Sequence, residues 1–201
     1  MIKAVIFDVG GVLIRTADHS HRRAWEKQLG LAEWESEEIV FNSDMGQKAQ
    51  RGEIETAELW HWIGRQLNLD ASALQAFQTA FWAGDVLDTE LIAFIRQLRP
   101  RYQTAIISNA TNTLRQMLTT KYPIISAFDL LVVSGEEKVM KPDPAIYELT
   151  LERLGRQPAE AVFVDDFAQN IAAARQVGLA TIHFRPDTNV PEELAHLGVT
   201  V

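Results

Sequence analysis

Five short runs of apolar and β-branched residues stand out along the chain: Lys3–Phe7, Thr104–Ile107, Leu130–Val133, Ala161–Val164 and Thr181–Phe184. A strand with one face in water alternates polar and apolar positions, so continuous runs of this length predict strands covered on both faces. Between them the apolar residues take helical spacing, as in Leu91, Ile95 and Leu98, then Leu114 and Leu118, then Ile146, Leu149 and Leu154, then Ile171 to Val177. Gly155 and Gly178 follow two of these patterns, where a helix end takes a residue free to adopt positive φ. Strands alternating with helices imply right-handed βαβ units. The expected fold is α/β, with a Rossmann-like parallel sheet core and helices on both faces.

Residues 16–85 break the alternation. They contain no convincing strand and read as several amphipathic helices, one starting at Thr56 with Leu59, Ile63 and Leu67, the next near Asp70 with Leu74, Phe77 and Phe81. The expected organisation is therefore a core of residues 1–15 and 86–201 with an inserted α-helical unit at 16–85. All five tryptophans, Trp25, Trp34, Trp60, Trp62 and Trp82, fall inside the insertion. Either most of them build its own small core, or one or two turn toward the main domain and, with Phe77, wall a substrate pocket. An exposed share of these aromatics would also make the insertion the face of a homodimer. There is no internal repeat and no low-complexity tract.

Composition narrows the chemistry. The chain has 201 residues, 47% of them hydrophobic, enough for one domain carrying an insertion. The net charge of −8 argues against a nucleic-acid partner of the usual basic kind. Cysteine is absent, so any metal must be held by oxygen or imidazole, and oxygen ligands point to a hard cation. The first apolar run is interrupted by Asp8 and two glycines and lacks the marks of a signal peptide. No stretch approaches the roughly 18 apolar residues of a membrane span, so no membrane association is expected and the expected location is the cytoplasm.

In an open parallel sheet, ligands bind beyond the carboxyl ends of the strands. The polar residues just past the predicted strands are Asp8, then Ser108 and Asn109, then Lys141 after a short loop, then Asp165 and Asp166. Singly, each has an ordinary reading: Asp8 before two glycines as a turn, Ser108–Asn109 as a helix cap, Lys141 as a surface lysine. Adjacent carboxylates ending an apolar strand are harder to dismiss, because they repel each other unless a cation compensates them. Three carboxylates with one ammonium suit a hard divalent cation that in turn holds a phosphate.

These residues stand in four segments: Val5-Ile-Phe-Asp8-Val-Gly-Gly-Val12, Ile107-Ser-Asn109, Lys141-Pro-Asp-Pro-Ala-Ile-Tyr147, and Phe163-Val-Asp-Asp166 followed by Asn170. In that order they resemble motifs I to IV of the haloacid dehalogenase-like hydrolases, over nearly the whole chain, and the insertion resembles that family's first type of cap. The segment Phe163-Val-Asp-Asp-Phe-Ala-Gln-Asn170 is most similar to the branch holding the sugar-phosphate phosphatases and the N-terminal phosphatase domain of soluble epoxide hydrolases. The resemblance implies a phosphohydrolase acting on a small phosphorylated metabolite. Asp8 would attack a phosphoryl group to form an aspartyl phosphate that water hydrolyses, and Lys141 would neutralise the phosphate and Asp8. Ser108, Asn109 and Lys141 would bind the substrate. Mg2+ would sit on Asp8, the carbonyl of Gly10 and Asp166, with Asp165 behind them.

One position departs from the family pattern. Its phosphatases usually carry a second aspartate two residues after the nucleophile, as general acid and base, and here that position is Gly10. The substrate then has a leaving group that needs little protonation, or a residue such as Asp18, His19 or His21 supplies the proton, or the chain is a catalytically impaired member that binds a phosphorylated metabolite or a protein. A dehalogenase would not need the Asp165–Asp166 pair. A phosphoryl-accepting response regulator would not carry the insertion.

Overall fold

The computed structural model describes every residue from Met1 to Val201. Its strands are β1 (Ala4–Phe7), β2 (Ile14–Thr16), β3 (Asp85–Leu87), β4 (Gln103–Ser108), β5 (Leu130–Val133), β6 (Ala161–Asp165) and β7 (Ala180–His183). Five of them form one parallel sheet in the order β5-β4-β1-β6-β7. The five runs singled out in the sequence are these five strands, each within one residue at either end.

Side chains alternate across the sheet, and both faces are covered. Val5, Phe7, Ile106, Val162 and Val164 enter one buried cluster with Leu91, Ile95, Leu118 and Leu194. Ala4, Ile6, Ala105, Ile107 and Phe163 enter the other, with Ile146, Tyr147, Leu151, Ile171 and Ala174. Helices Thr89–Leu98, Leu114–Thr120 and Val190–His196 therefore cover one face, and Pro144–Leu154 and Ala168–Val177 the other. Each fully buried large side chain contributes roughly 1.5–3 kcal/mol, and the buried polar residue inside β4, Thr104, is accommodated by donating its hydroxyl to the Ala127 carbonyl at 2.8 Å.

From β1 the chain eventually builds β4 and β5 on one side, then crosses to place β6 and β7 on the other. Phe7 thus pairs with Ile106 and with Val164 at once. The loops leaving the carboxyl ends of β1, β4 and β6 diverge there, and such a switch point leaves a crevice.

The segment between β2 and β3 is helical, with helices Ser20–Leu29, Asp44–Gln50, Thr56–Gln66 and Ala71–Phe81. It has its own buried cluster of Val40, Ala49, Leu59, Trp60, Ile63, Phe77 and Phe81, separate from the two sheet clusters. Trp25, Trp62 and Trp82 pack against it, and its rings meet edge to face, as in Trp60 with Phe77 at 6.3 Å. Trp34 lies outside this core, 44% exposed, under the Arg23 guanidinium at 3.9 Å.

The two chain crossings into this segment lie side by side, because β2 and β3 pair antiparallel with Thr16 opposite Asp85. A buried arginine ties them to the helices. Arg22 donates to the Phe81 carbonyl at 2.7 Å, to Glu37 at 2.6 Å and to Asp85 at 3.1 Å, and Asp85 also accepts the Thr16 hydroxyl at 2.7 Å. A charge this deep is tolerated only when fully paired.

A second contact joins the helical segment to the sheet. Ser134, just past β5, donates to the Gln50 carbonyl at 2.5 Å and accepts the Ala110 N–H at 3.0 Å. Asn112 bridges Thr56, at 2.7 Å, and Glu55. Between these bonds Gly52, at φ 66°, lies against the backbone of Gly135, where a Cβ would collide with the Gly135 carbonyl. Gly30 shares the left-handed φ of 69° but has open space around it. Gly52→Ala is expected to cost more than Gly30→Ala, which bears only the ~1–2 kcal/mol of left-handed strain. Melting both variants checks this, and equal losses would mean that the Gly52–Gly135 contact contributes nothing.

Candidate active site

Asp8 follows β1 directly. Its N–H still bonds the Val164 carbonyl at 2.9 Å, so the sheet fixes its backbone. The side chain is buried, with Oδ1 accepting the Val9 N–H at 2.6 Å and Oδ2 at 2.8 Å from Lys141 Nζ. Lys141, only 1% exposed, donates equally to Asp165 Oδ2 at 2.7 Å. Asp165 closes β6 and is fully enclosed: its oxygens also accept the Phe167 N–H at 2.7 Å and the Asn170 amide at 3.0 and 3.1 Å. Tyr147 braces this corner by donating to the Asn170 carbonyl at 3.0 Å.

Asp166 differs from its neighbour. Its Oδ1 is buried and has no hydrogen-bond partner. Its carboxylate lies against Gly11, in the space a Cβ there would fill. Its main-chain carbonyl meets His183 Nε2 at 3.0 Å and accepts Arg185 Nη1 at 3.4 Å. One oxygen each from Asp8, Asp165 and Asp166 lie within 4.8 Å of one another.

The cluster therefore carries three carboxylates around a single ammonium. Two like charges about 4 Å apart repel by roughly 4 kcal/mol at the effective dielectric of a protein. Burial pushes the Asp8 carboxyl up to about 7, with Asp165 and Asp166 adding to the rise and Lys141 opposing it. Burial also raises Asp166, helped by the Asp165 charge. Burial alone would pull Lys141 down, but Asp8 and Asp165 outweigh it and hold the ammonium above its ordinary range. Such a site accepts positive charge readily. Its oxygen donors and the orphaned Asp166 Oδ1 fit a hard divalent cation, and Asp165, with both oxygens taken, serves Lys141 instead.

A pH dependence follows. Asp8 sits above its ordinary value of 3.8 in the fold, so the folded state binds the extra proton. Its stabilising share is complete below about pH 4 and is lost as pH rises through about 7. In chelator the melting temperature is expected to fall between pH 5 and 8, less so in Asp8→Asn. Added Mg2+ should raise it more at pH 8 than at pH 5. Equal Mg2+ shifts at the two pH values would mean that Asp8 does not hold the cation.

Ser108 ends β4 in a buried position, and Asn109 follows it. Neither caps the next helix, which starts at Leu114 with Thr113 before it. Asn109 instead spends both amide atoms on the main chain of Lys141, at 2.8 Å each. The sequence carried no sign of that pairing, nor of the approach of His183 to Asp166. Asp18 and His19 make their contacts inside the helical segment, although His19 Nδ1 is buried without a hydrogen-bond partner, 3.6 Å from Glu37. Asp18 accepts the Ser20 N–H at 2.8 Å, which holds its carboxyl below the usual range and makes it a poor proton donor at neutral pH. His19 packs edge-on to Trp34 at 4.8 Å, and His21 is exposed on the first helix. Gly10 is exposed beside the cluster.

A family model described as haloacid dehalogenase-like hydrolase matches residues 2–178, the stretch that holds every residue of this cluster. The chain belongs to the haloacid dehalogenase-like hydrolases. Among curated relatives, this hydrolase is 28% identical to the sesquiterpene phosphatase astK of Aspergillus oryzae, over 97% of its own length and 96% of the relative's. It is 25% identical to the fructose-1-phosphate phosphatase YqaB of Escherichia coli, over 90% of this chain and 95% of that one. Some relatives are much longer: at 32% identity over 98% of its own length, it spans only 19% of the acyl-CoA dehydrogenase family member 10 of Mus musculus. Its fold matches that of a family enzyme from Bacteroides thetaiotaomicron solved with magnesium and inorganic phosphate, with a TM-score of 0.80 at 22% identity over 96% of this chain and 99% of that one. No helix of this hydrolase is long and apolar enough to cross a membrane.

Proposed function

We propose that this hydrolase is a Mg2+-dependent phosphatase that cleaves a small phosphomonoester, a sugar or other metabolite phosphate, through an aspartyl phosphate on Asp8. The observation that carries the reading is Lys141 held between Asp8 and Asp165 beside an Asp166 oxygen with no partner. A carboxylate, an ammonium and an unsatisfied anionic ligand then share one crevice, at the end of a rigid sheet.

A carboxylate oxygen of Asp8 attacks phosphorus, the bond from phosphorus to the leaving oxygen breaks, and that oxygen takes a proton from solvent, since Gly10 has none to give. Water then attacks the aspartyl phosphate, loses a proton and releases inorganic phosphate with Asp8 restored. Lys141 offsets the negative charge that gathers on Asp8 and the transferring group. Ser108 and the backbone N–H of Asn109 would bind phosphate oxygens. Asp8, Asp166 and the Gly10 carbonyl would hold Mg2+, which supplies charge neutralisation between carboxylate and phosphate. Residues 16–85 act as a cap over the crevice, with the Ser134–Gln50 and Asn112–Thr56 bonds as its points of contact.

The test is phosphate release from a panel that includes sugar phosphates, acyl phosphates and a terpenyl phosphate, with Mg2+ and with chelator. The expected result is Mg2+-dependent release from at least one of them. No release from any compound would replace this reading with that of a binding protein whose chemistry was lost at Gly10.

A further inference from the structure

Lys141 is tied down at two points, and only one of them belongs to the charged cluster. Its ammonium lies between Asp8 and Asp165, at 2.8 and 2.7 Å. Its main chain is clasped by Asn109, whose Oδ1 accepts the Lys141 N–H and whose Nδ2 donates to the Lys141 carbonyl, each at 2.8 Å. A side-chain amide that meets both groups of one residue imitates the paired bonds of a neighbouring strand. Lys141 needs such a surrogate, because it sits in a turn beyond β5 where no ladder fixes it. Asn109 is well placed to serve, since it follows Ser108, which pairs with Val133 at the end of the β4–β5 ladder.

A lysine head on a flexible four-carbon stem is only as well placed as its backbone. The geometry points to Asn109 as a positioning residue whose side chain sets the Lys141 ammonium between Asp8 and Asp165 and does not itself touch the substrate. Both of its side-chain amide atoms are spent on main chain, so the amide transmits the sheet's rigidity to the lysine, and phosphate binding is left to Ser108 in the proposed function. Only the kinetic half of the test rests on the proposed phosphatase reading.

The first readout needs no substrate. Every lysine other than Lys141 is exposed, so the ammonium signal of Lys141 in 15N-lysine-labelled protein is recognised by its slow exchange. In Asn109→Ala that exchange should accelerate at least ~10-fold, with Asn109→Asp, which keeps the acceptor for the Lys141 N–H, in between. A protected signal unchanged in both variants would overturn the inference. The second readout uses any phosphate ester the wild type hydrolyses. A catalytic group displaced by about 1 Å loses on the order of 10²-fold, so kcat should fall ~10- to 100-fold with KM held within about threefold. A rise in KM at unchanged kcat would instead make Asn109 a substrate contact. If the wild type hydrolyses nothing, the phosphatase reading fails and the exchange rates still decide the role of Asn109. Should Asn109→Ala not fold, as judged by circular dichroism, Asn109→Asp carries both readouts.

Discussion

Asp8→Asn is expected to abolish phosphate release while leaving the fold intact. The amide oxygen can still accept the Val9 N–H that now bonds Asp8 at 2.6 Å. The amide cannot form the acyl phosphate, and loss of a nucleophile is the most severe single change a covalent mechanism offers, at least ~10⁴-fold. The same substitution removes one of three crowded carboxylates, a group whose ionised form burial already opposes. In chelator at pH 8, the variant should therefore melt no lower than the wild type. Steady-state phosphate release, calorimetry and mass spectrometry of the acid-quenched Asp8 peptide check the three parts. A variant that turns over at the wild-type rate would place the nucleophile elsewhere, and one that is inactive because it is unfolded would fail the calorimetric part.

Gly10→Asp should do the opposite and raise the rate. A Cβ built on Gly10 meets nothing within 4 Å, and Gly10 is not among the residues of positive φ, so an aspartate fits without strain. Its carbonyl stays where it is, and the new carboxyl stands two residues from Asp8 at the open side of the cluster. General acid–base help is worth about 10² to 10⁴ in rate. That gain should appear on alkyl phosphates, whose leaving oxygen needs a proton, and shrink toward nothing on an aryl phosphate with an acidic phenol. Comparing kcat across leaving groups of graded acidity tests it, the variant giving the flatter dependence. An unchanged dependence would mean that another group already delivers the proton.

Much of this was legible in the sequence because it is local. Val5 to Phe7 and Val162 to Val164 are continuous apolar runs for a physical reason: successive residues enter opposite clusters, and both are dry. The helical insertion announced itself by a change of period, and Thr56–Gln66 and Ala71–Phe81 formed at the spacing that predicted them. The candidate chemistry was legible for the same reason, since Asp8, Ser108 and Asp165 stand where apolar runs stop, at or just past strand ends.

What the chain order alone could not express is which ends become neighbours. Phe7 lies between Ile106 and Val164 only because β1 is the middle strand, and that choice is made by packing across the whole sheet. The unlike fates of Asp165 and Asp166 belong to the tertiary structure too: one is sealed by Lys141 and Asn170, while the other keeps an oxygen without a partner. The burial of Arg22 and the Asn109 clasp on Lys141 have the same character. Their partners lie 15 to 63 residues away for Arg22 and 32 for Asn109, and a bond between a side chain and a distant group leaves no period in the sequence. Periodicity reports whether a residue faces water or core. The short β2–β3 pair, whose three-residue strands carry no period, lay beyond its reach. The sequence by itself determined the five strands of the parallel sheet, the longer helices and the strand ends where chemistry collects. The hydrogen bonds and charges that turn those ends into a site depend on distances through space, which only the folded sheet decided.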